Sequence, residues 1–95
     1  YITENGQSCN DRIFLDGRVH DPDRIDFLHR YLLALRAAAE GGADVRGYFH
    51  WALTDNFEWS EGYNERFGLV YVDARIPKDS AAWYAETVRA NGENL

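Results

Sequence analysis

The chain has no methionine and only one cysteine, Cys9, among its 95 residues. A lone cysteine excludes an internal disulfide framework and a multi-cysteine zinc site, and a chain without disulfide pairs points to the cytoplasm. No apolar run approaches the roughly 20 residues that a membrane-spanning helix needs, and the start carries no signal-peptide pattern. Basic side chains are also scarce: 10 Lys and Arg against 16 Asp and Glu leave a net charge of −6. No basic patch stands out, which argues against nucleic acid or an anionic membrane as a partner. Without a methionine there is no initiator, and Tyr1-Ile2-Thr3 reads as the end of a buried strand. The expectation is a piece of a longer protein.

The residues present are those of a folded chain. Hydrophobic side chains make up 45% and aromatics 15%, which excludes a disordered tail or a collagen-like repeat. The length allows one domain at most. No linker, repeat or low-complexity run interrupts residues 1–95.

Tyr1 to Thr3 favour a strand, and Glu4-Asn5-Gly6 turns the chain away from it. Gln7 to Val19 is a polar loop. Asp21-Pro22-Asp23 opens a helix, with Asp21 or Asp23 as its cap and Pro22 suited to the first helical position. Ile25, Leu28, Leu32, Leu35 and Ala39 recur at helical spacing, widened by Phe27, Tyr31 and Ala34. Gly41-Gly42 stops that helix. Val45 to Leu53 is apolar on both faces, the pattern of a covered parallel strand. Thr54 to Arg66 is a long loop, Gly68 to Asp73 a short strand, and a last helix runs from Pro77–Ser80 to about Ala90. In that helix Ala82, Tyr84, Ala85 and Val88 are available for packing. Strands alternating with helices read as βα units of a parallel sheet. Two such units leave strand edges and helix faces bare, so packing also suggests a part of something larger.

Parallel α/β folds bind ligands beyond the carboxyl ends of their strands. Glu4, Trp51 and the run Asp55-Asn56-Phe57-Glu58-Trp59 fall there. Carboxylates with tryptophans suit a sugar: aromatic faces stack on pyranose C–H faces, carboxylates take hydroxyls, and one carboxylate at the anomeric carbon can act as nucleophile. Each also has a plainer reading. Glu4 suits a solvated loop, Trp51 and Trp59 suit packing, and Asp55 and Glu58 suit solvated loop acids. Asp55 to Gly62 does not match a calcium loop, and no metal or other cofactor is expected. His50 reads as a packed histidine rather than a base, His20 and His29 as surface or partly buried groups, and Cys9 as inert.

These residues resemble glycoside hydrolase family 1, the β-glucosidase family. Tyr1-Ile2-Thr3-Glu4-Asn5-Gly6 is similar to its nucleophile motif on the seventh barrel strand. Gly47 to Trp59 is similar to the eighth strand and following loop; Gly62-Tyr63, Arg66 to Asp73, Pro77 to Ser80 and Trp83-Tyr84 continue the likeness. The resemblance implies a (β/α)8 TIM barrel of which this chain forms the last two βα units, strands 7 and 8 with their helices. It implies retaining hydrolysis of β-D-glucosyl residues through a covalent glycosyl-enzyme on Glu4. It also implies Trp51 as the platform under the sugar, followed by a cis peptide. Glu58 and Trp59 would hold glycone hydroxyls, and Phe67 would line the site. The partner is a small β-glucoside or oligosaccharide.

Gln7 and Ala52 depart from the commoner family residues without removing a reacting group. The family's acid/base glutamate lies in an Asn-Glu-Pro motif, and no Asn-Glu-Pro occurs here. The resemblance therefore implies that this chain alone is inactive and poorly folded. The alternative from another class is a non-catalytic sugar-binding or interaction fragment.

Overall fold

The computed structural model describes residues 1–95. Strand β1 (Ile2–Asn5) leads through a loop to helix α1 (Pro22–Glu40), and strand β2 (Tyr48–His50) follows. A long loop with one 3-10 turn at Trp59–Glu61 precedes the hairpin β3 (Val70–Tyr71) and β4 (Ile76–Pro77); helix α2 (Asp79–Arg89) ends the order. β1 and β2 pair in parallel, with Ile2 opposite Tyr48 and Asn5 opposite His50. The crossover through α1 makes this a βαβ unit, and α1 packs on α2.

The helices behave largely as their sequences predict. Pro22 sits at the start of α1, and Leu28 and Leu32 are buried. At the far end Gly42 N–H donates to the Ala39 carbonyl and Ala43 N–H to the Ala38 carbonyl. This is a Schellman stop, with Gly42 taking the required positive φ of 107°. Asn91, at φ 50°, ends α2 in the same way, with Gly92 N–H reaching back to the Thr87 carbonyl. The caps differ from expectation. Asp21 stands at the N-cap of α1, but no side-chain cap bond forms there. Its carboxylate instead accepts Ser80 N–H at 2.9 Å, in the first turn of α2. Asp21 thus serves the other helix, where two orphan-bearing ends meet.

The strands are shorter and barer than expected. β2 covers Tyr48–His50 rather than residues 45–53, and Phe49 is 58% exposed. β1 extends through Glu4 to Asn5, and Tyr1 and Ile2 are exposed rather than buried. The reason is common to both. β1 and β2 have only each other as neighbours, so their outer edges and one face lack partners. The short strand expected at residues 68–73 is one arm of an antiparallel hairpin. In α2, Tyr84 and Ala85 are half-buried, whereas Ala82 and Val88 face out.

Size confirms the openness. The accessible surface is 6398 Å², against about 5,600 Å² for a compact chain of this mass. The radius of gyration is 14.1 Å, against roughly 12.4 Å expected. The molecule is a slab 17 Å thick in its thinnest direction. No helix is long and apolar enough to cross a membrane.

Candidate functional site

Parallel pairing puts the carboxyl ends of β1 and β2 on the same rim. Asn5 lies opposite His50, and Trp51 N–H donates to the Asn5 carbonyl at 2.9 Å. Side chains alternate across a strand. The Asn5 side chain accepts the Tyr48 hydroxyl at 2.8 Å, and Tyr48 and His50 turn toward the helices. Phe49 and Trp51 therefore face the other way, onto the open side; in β1 the register shifts between Ile2 and Asn5, and Glu4 within that shift is exposed like Phe49 and Trp51. The two backbones meet tightly here. A Cβ on Gly6 would lie 1.9 Å from the Trp51 carbonyl oxygen, so only glycine fits.

The next residues are held by a strap of chain from 67 to 70. The Trp51–Ala52 peptide is cis. Ala52 N–H donates to the Phe67 carbonyl at 3.1 Å, and Leu69 N–H to the Ala52 carbonyl at 3.1 Å. Between these segments the loop folds back on itself: Glu58 N–H donates to the Gly62 carbonyl at 2.7 Å. The Trp51 indole Nε1 donates to Glu58 Oε1 at 3.2 Å. An indole at the strand end and a carboxylate from the following loop are thus brought together. Trp59 takes a left-handed backbone, φ 48°, which costs a non-glycine residue about 1–2 kcal/mol. Its side chain is 87% exposed. Phe67 is half-buried on the strap.

The histidines are as expected in character. The His50 ring lies 5.6 Å from that of Tyr84. Burial, helped by the charge of Arg24, pushes its pKa down to about 4, so it is a neutral packed group. His20 bridges Asp16 and Asp79 at 2.7 and 2.6 Å, and these hydrogen bonds raise its pKa. Burial raises the pKa of the Cys9 thiol, which keeps it protonated and unreactive.

Sequence reasoning missed a buried ionic cluster beneath the rim. Arg24 and Lys78 are among the most deeply buried side chains. Arg24 pairs with Asp11 at 2.7 Å and with Asp21. Lys78 Nζ pairs with Asp11 at 2.7 Å and Asp55 at 2.6 Å. Arg66 pairs with Asp55 at 3.1 Å and with the exposed Asp73 at 2.8 Å. Asp55 is therefore not a solvated loop acid; it is buried at 2% exposure. Burial alone would raise its pKa. Hydrogen bonds and charge from Lys78, with Gly68 N–H and Arg66, outweigh that and hold the carboxyl below its usual range. One signal was present in the sequence: Arg24 falls on the apolar stripe of α1, four residues before Leu28.

No cluster of three or more His, Cys, Asp or Glu side chains is arranged to hold a metal. The site is one of carboxylates and indoles on an open rim, with a sealed ionic floor.

Known proteins are similar to this chain in sequence and in fold. β-Glucosidase A of Thermotoga maritima is 51% identical over 96 aligned residues, covering 97% of this chain and 22% of that protein. The bifunctional β-D-glucosidase/β-D-fucosidase of Bifidobacterium breve is 55% identical over 91 residues, covering 87% of this chain and 20% of that protein. A solved structure of the Thermotoga maritima β-glucosidase, in complex with a methyl acetic acid-substituted glucoimidazole, matches with a TM-score of 0.94 over 97% of this chain. This chain spans 22% of that structure. The strand pair with its helices is accordingly a partial TIM barrel. The model of glycosyl hydrolase family 1 matches residues 1–93, and the chain belongs to that family.

Proposed function

We propose that the protein containing this chain is a retaining β-glycosidase acting first on β-D-glucosides. In this reading residues 1–95 are the C-terminal part of one barrel domain, and β1 and β2 are its seventh and eighth strands. Glu4 is the nucleophile: its carboxylate attacks the anomeric carbon and displaces the leaving oxygen, forming a glycosyl ester. A second carboxyl group, about 5–5.5 Å away in retaining enzymes, protonates that oxygen and then deprotonates the water that cleaves the ester. That group lies outside this chain. The nucleophile must be ionised while its partner is protonated, which requires their environments to hold the two pKa values apart.

The observation that carries the reading is the rim geometry. Glu4 and Trp51 are both exposed at the carboxyl ends of adjacent parallel strands, and Trp51 donates to Glu58 at 3.2 Å. Trp51 forms the platform, Glu58 and Trp59 take glycone hydroxyls, and Phe67 lines the site. A carboxylate at Glu58 repels a phosphorylated sugar, so the glycone is unphosphorylated glucose, with galactose or fucose next. The relative named for both glucosidase and fucosidase activity supports that order.

The test is stereochemical. In the full-length protein, NMR of the first-formed sugar from an aryl β-glucoside shows the β-anomer, and Glu4→Ala abolishes its formation. A first-formed α-anomer would exclude the double displacement. Full turnover by the Glu4→Ala enzyme would leave a sugar-binding role for this segment. The isolated chain, lacking the second carboxyl group, gives no turnover above background.

A further inference from the structure

Lys78 occupies an unusual place. It is buried at 1% exposure, at the N-cap of α2, and its ammonium reaches two carboxylates from two different loops. Asp11 lies on the loop that follows β1 and Glu4. Asp55 lies on the loop that follows β2 and leads to Glu58. Nζ stands 2.7 Å from Asp11 and 2.6 Å from Asp55.

Asp55 in turn clasps its own loop at both ends. Its N–H donates to the Val70 carbonyl at 3.2 Å, and its carboxylate accepts Gly68 N–H at 2.9 Å and the Arg66 guanidinium at 3.1 Å. Residues 56–67, which carry Glu58, Trp59 and Phe67, are strung between those anchor points. The fit at the clasp is close: a Cβ on Gly68 would lie 2.2 Å from Asp55 N.

We propose that Lys78 is a positioning residue. It locks the Asp55 clasp, and with it Glu58, in register with the strand end that bears Glu4. The inference rests on the reading of Glu4 and Glu58 given above. Stability alone does not account for the lysine. A buried ion pair is often no more stabilising than well-packed apolar side chains, because desolvation cancels much of the attraction. The cluster is also redundant in charge. Without Lys78, Asp11 keeps Arg24 at 2.7 Å and Asp55 keeps Arg66 at 3.1 Å. The loops also touch where Cys9 N–H meets the Arg66 carbonyl at 3.0 Å; what Lys78 adds is the one cation held between Asp11 on the first loop and Asp55, the clasp of the second.

The test uses the full-length enzyme, normalised by active-site titration. The readout is the ratio of kcat/KM for 4-nitrophenyl β-D-glucoside to that for its 6-deoxy analogue, which reports how well Glu58 holds the outer hydroxyls. Glu58→Ala collapses the ratio. Lys78→Met lowers it about tenfold, and the double variant falls no further than Glu58→Ala alone, because the lysine acts through the glutamate. A merely structural lysine lowers the melting temperature and the titratable fraction but leaves the ratio within twofold of the parent; that result overturns the proposal. If Glu58→Ala itself leaves the ratio unchanged, the reading of Glu58 fails, and the proposal falls with it. Lys78→Gln is the second variant if Lys78→Met does not fold. If neither folds, the lysine holds the fold rather than the register, and the proposal is overturned.

Discussion

Two regions of this molecule invert the usual order of a folded chain. Beneath the rim, charges are inside: the Arg24 and Lys78 side chains have no exposed surface, and the paired side chains of Asp11, Asp21 and Asp55 are at most 2% exposed. On the rim and the open face, aromatics are outside, with Phe49 at 58%, Phe57 at 65% and Trp59 at 87% exposed. Charged groups are almost never fully buried unless paired, and large exposed apolar areas mark surfaces that something else covers. The buried charges of the ionic cluster find their ion partners within the chain. The open face has no such partners within the chain, and in the proposed reading it is where the rest of the barrel and a sugar would meet it.

That contrast separates two kinds of mutation in the full-length protein. The largest effect belongs to the open side. The Glu4 side chain holds no hydrogen bond or ion pair within the chain, so Glu4→Ala should change the melting temperature little while kcat falls by on the order of 10⁴-fold or more, the scale of losing a covalent nucleophile. An equal loss of stability would place Glu4 with the structural residues. The sealed side behaves in the opposite way. Arg24→Met leaves Asp21 buried without its ion partner and should cost about 3–5 kcal/mol of stability, read by thermal or denaturant unfolding. A loss below about 1 kcal/mol would show that the cluster is more wetted than its burial indicates.

Glycine 6 joins the two regions. Gly6→Ala puts a methyl group against the Trp51 carbonyl, where the backbone has no room to yield. Overpacking of this kind costs roughly 1–3 kcal/mol, and it should also lower kcat/KM, because Trp51 and Glu4 are displaced relative to each other. Unchanged kinetics would mean that the rim is more plastic than its hydrogen bonds imply.

The smallest effect lies at the edge of the cluster. His20 has a raised pKa and its partners Asp16 and Asp79 lowered ones. For the histidine, stabilisation is complete below its unfolded pKa of about 6.5 and is lost as pH rises through the higher folded value. For the aspartates it is present above about 3.9 and is lost as pH falls through their lowered values. The contribution is therefore greatest between those limits. His20→Gln should flatten the decline in melting temperature above pH 6.5; a decline of unchanged slope would assign it to other groups. His50 acts with the opposite sign, since a folded pKa near 4 weakens the fold as pH drops below about 6.5.

The helices were legible in the sequence because their signals are local. Pro22, the Leu28–Leu32 spacing, Gly41-Gly42 and Asn91-Gly92 each act within a turn or two, and the structure uses all of them. The strands were legible in place but not in extent. An apolar run from 45 to 53 states that two layers should cover it, and here only one does. The rim residues were picked out by motif and strand-end position; that the Trp51 indole donates to Glu58 is a contact the sequence did not announce. The ionic cluster was not legible. Asp11, Asp21, Arg24, Asp55, Arg66 and Lys78 are distant in sequence, and each alone looks like a surface charge. Apart from Arg24 on the apolar stripe of α1, their pairing is a tertiary fact with no period or spacing to announce it. Asp21 is the clearest case: the sequence offered it, with Asp23, as a cap for α1, but its carboxylate bonds the first turn of α2 instead.

The most direct measurement of the central claim is covalent trapping. The full-length protein is incubated with a 2-deoxy-2-fluoro-β-glucoside bearing a good leaving group, digested, and examined by mass spectrometry. The account predicts one added fluoroglucosyl group on the peptide that contains Glu4, absent in the Glu4→Gln variant. A label on any other carboxylate, or turnover of β-glucosides with no trapped ester under any condition, would contradict it.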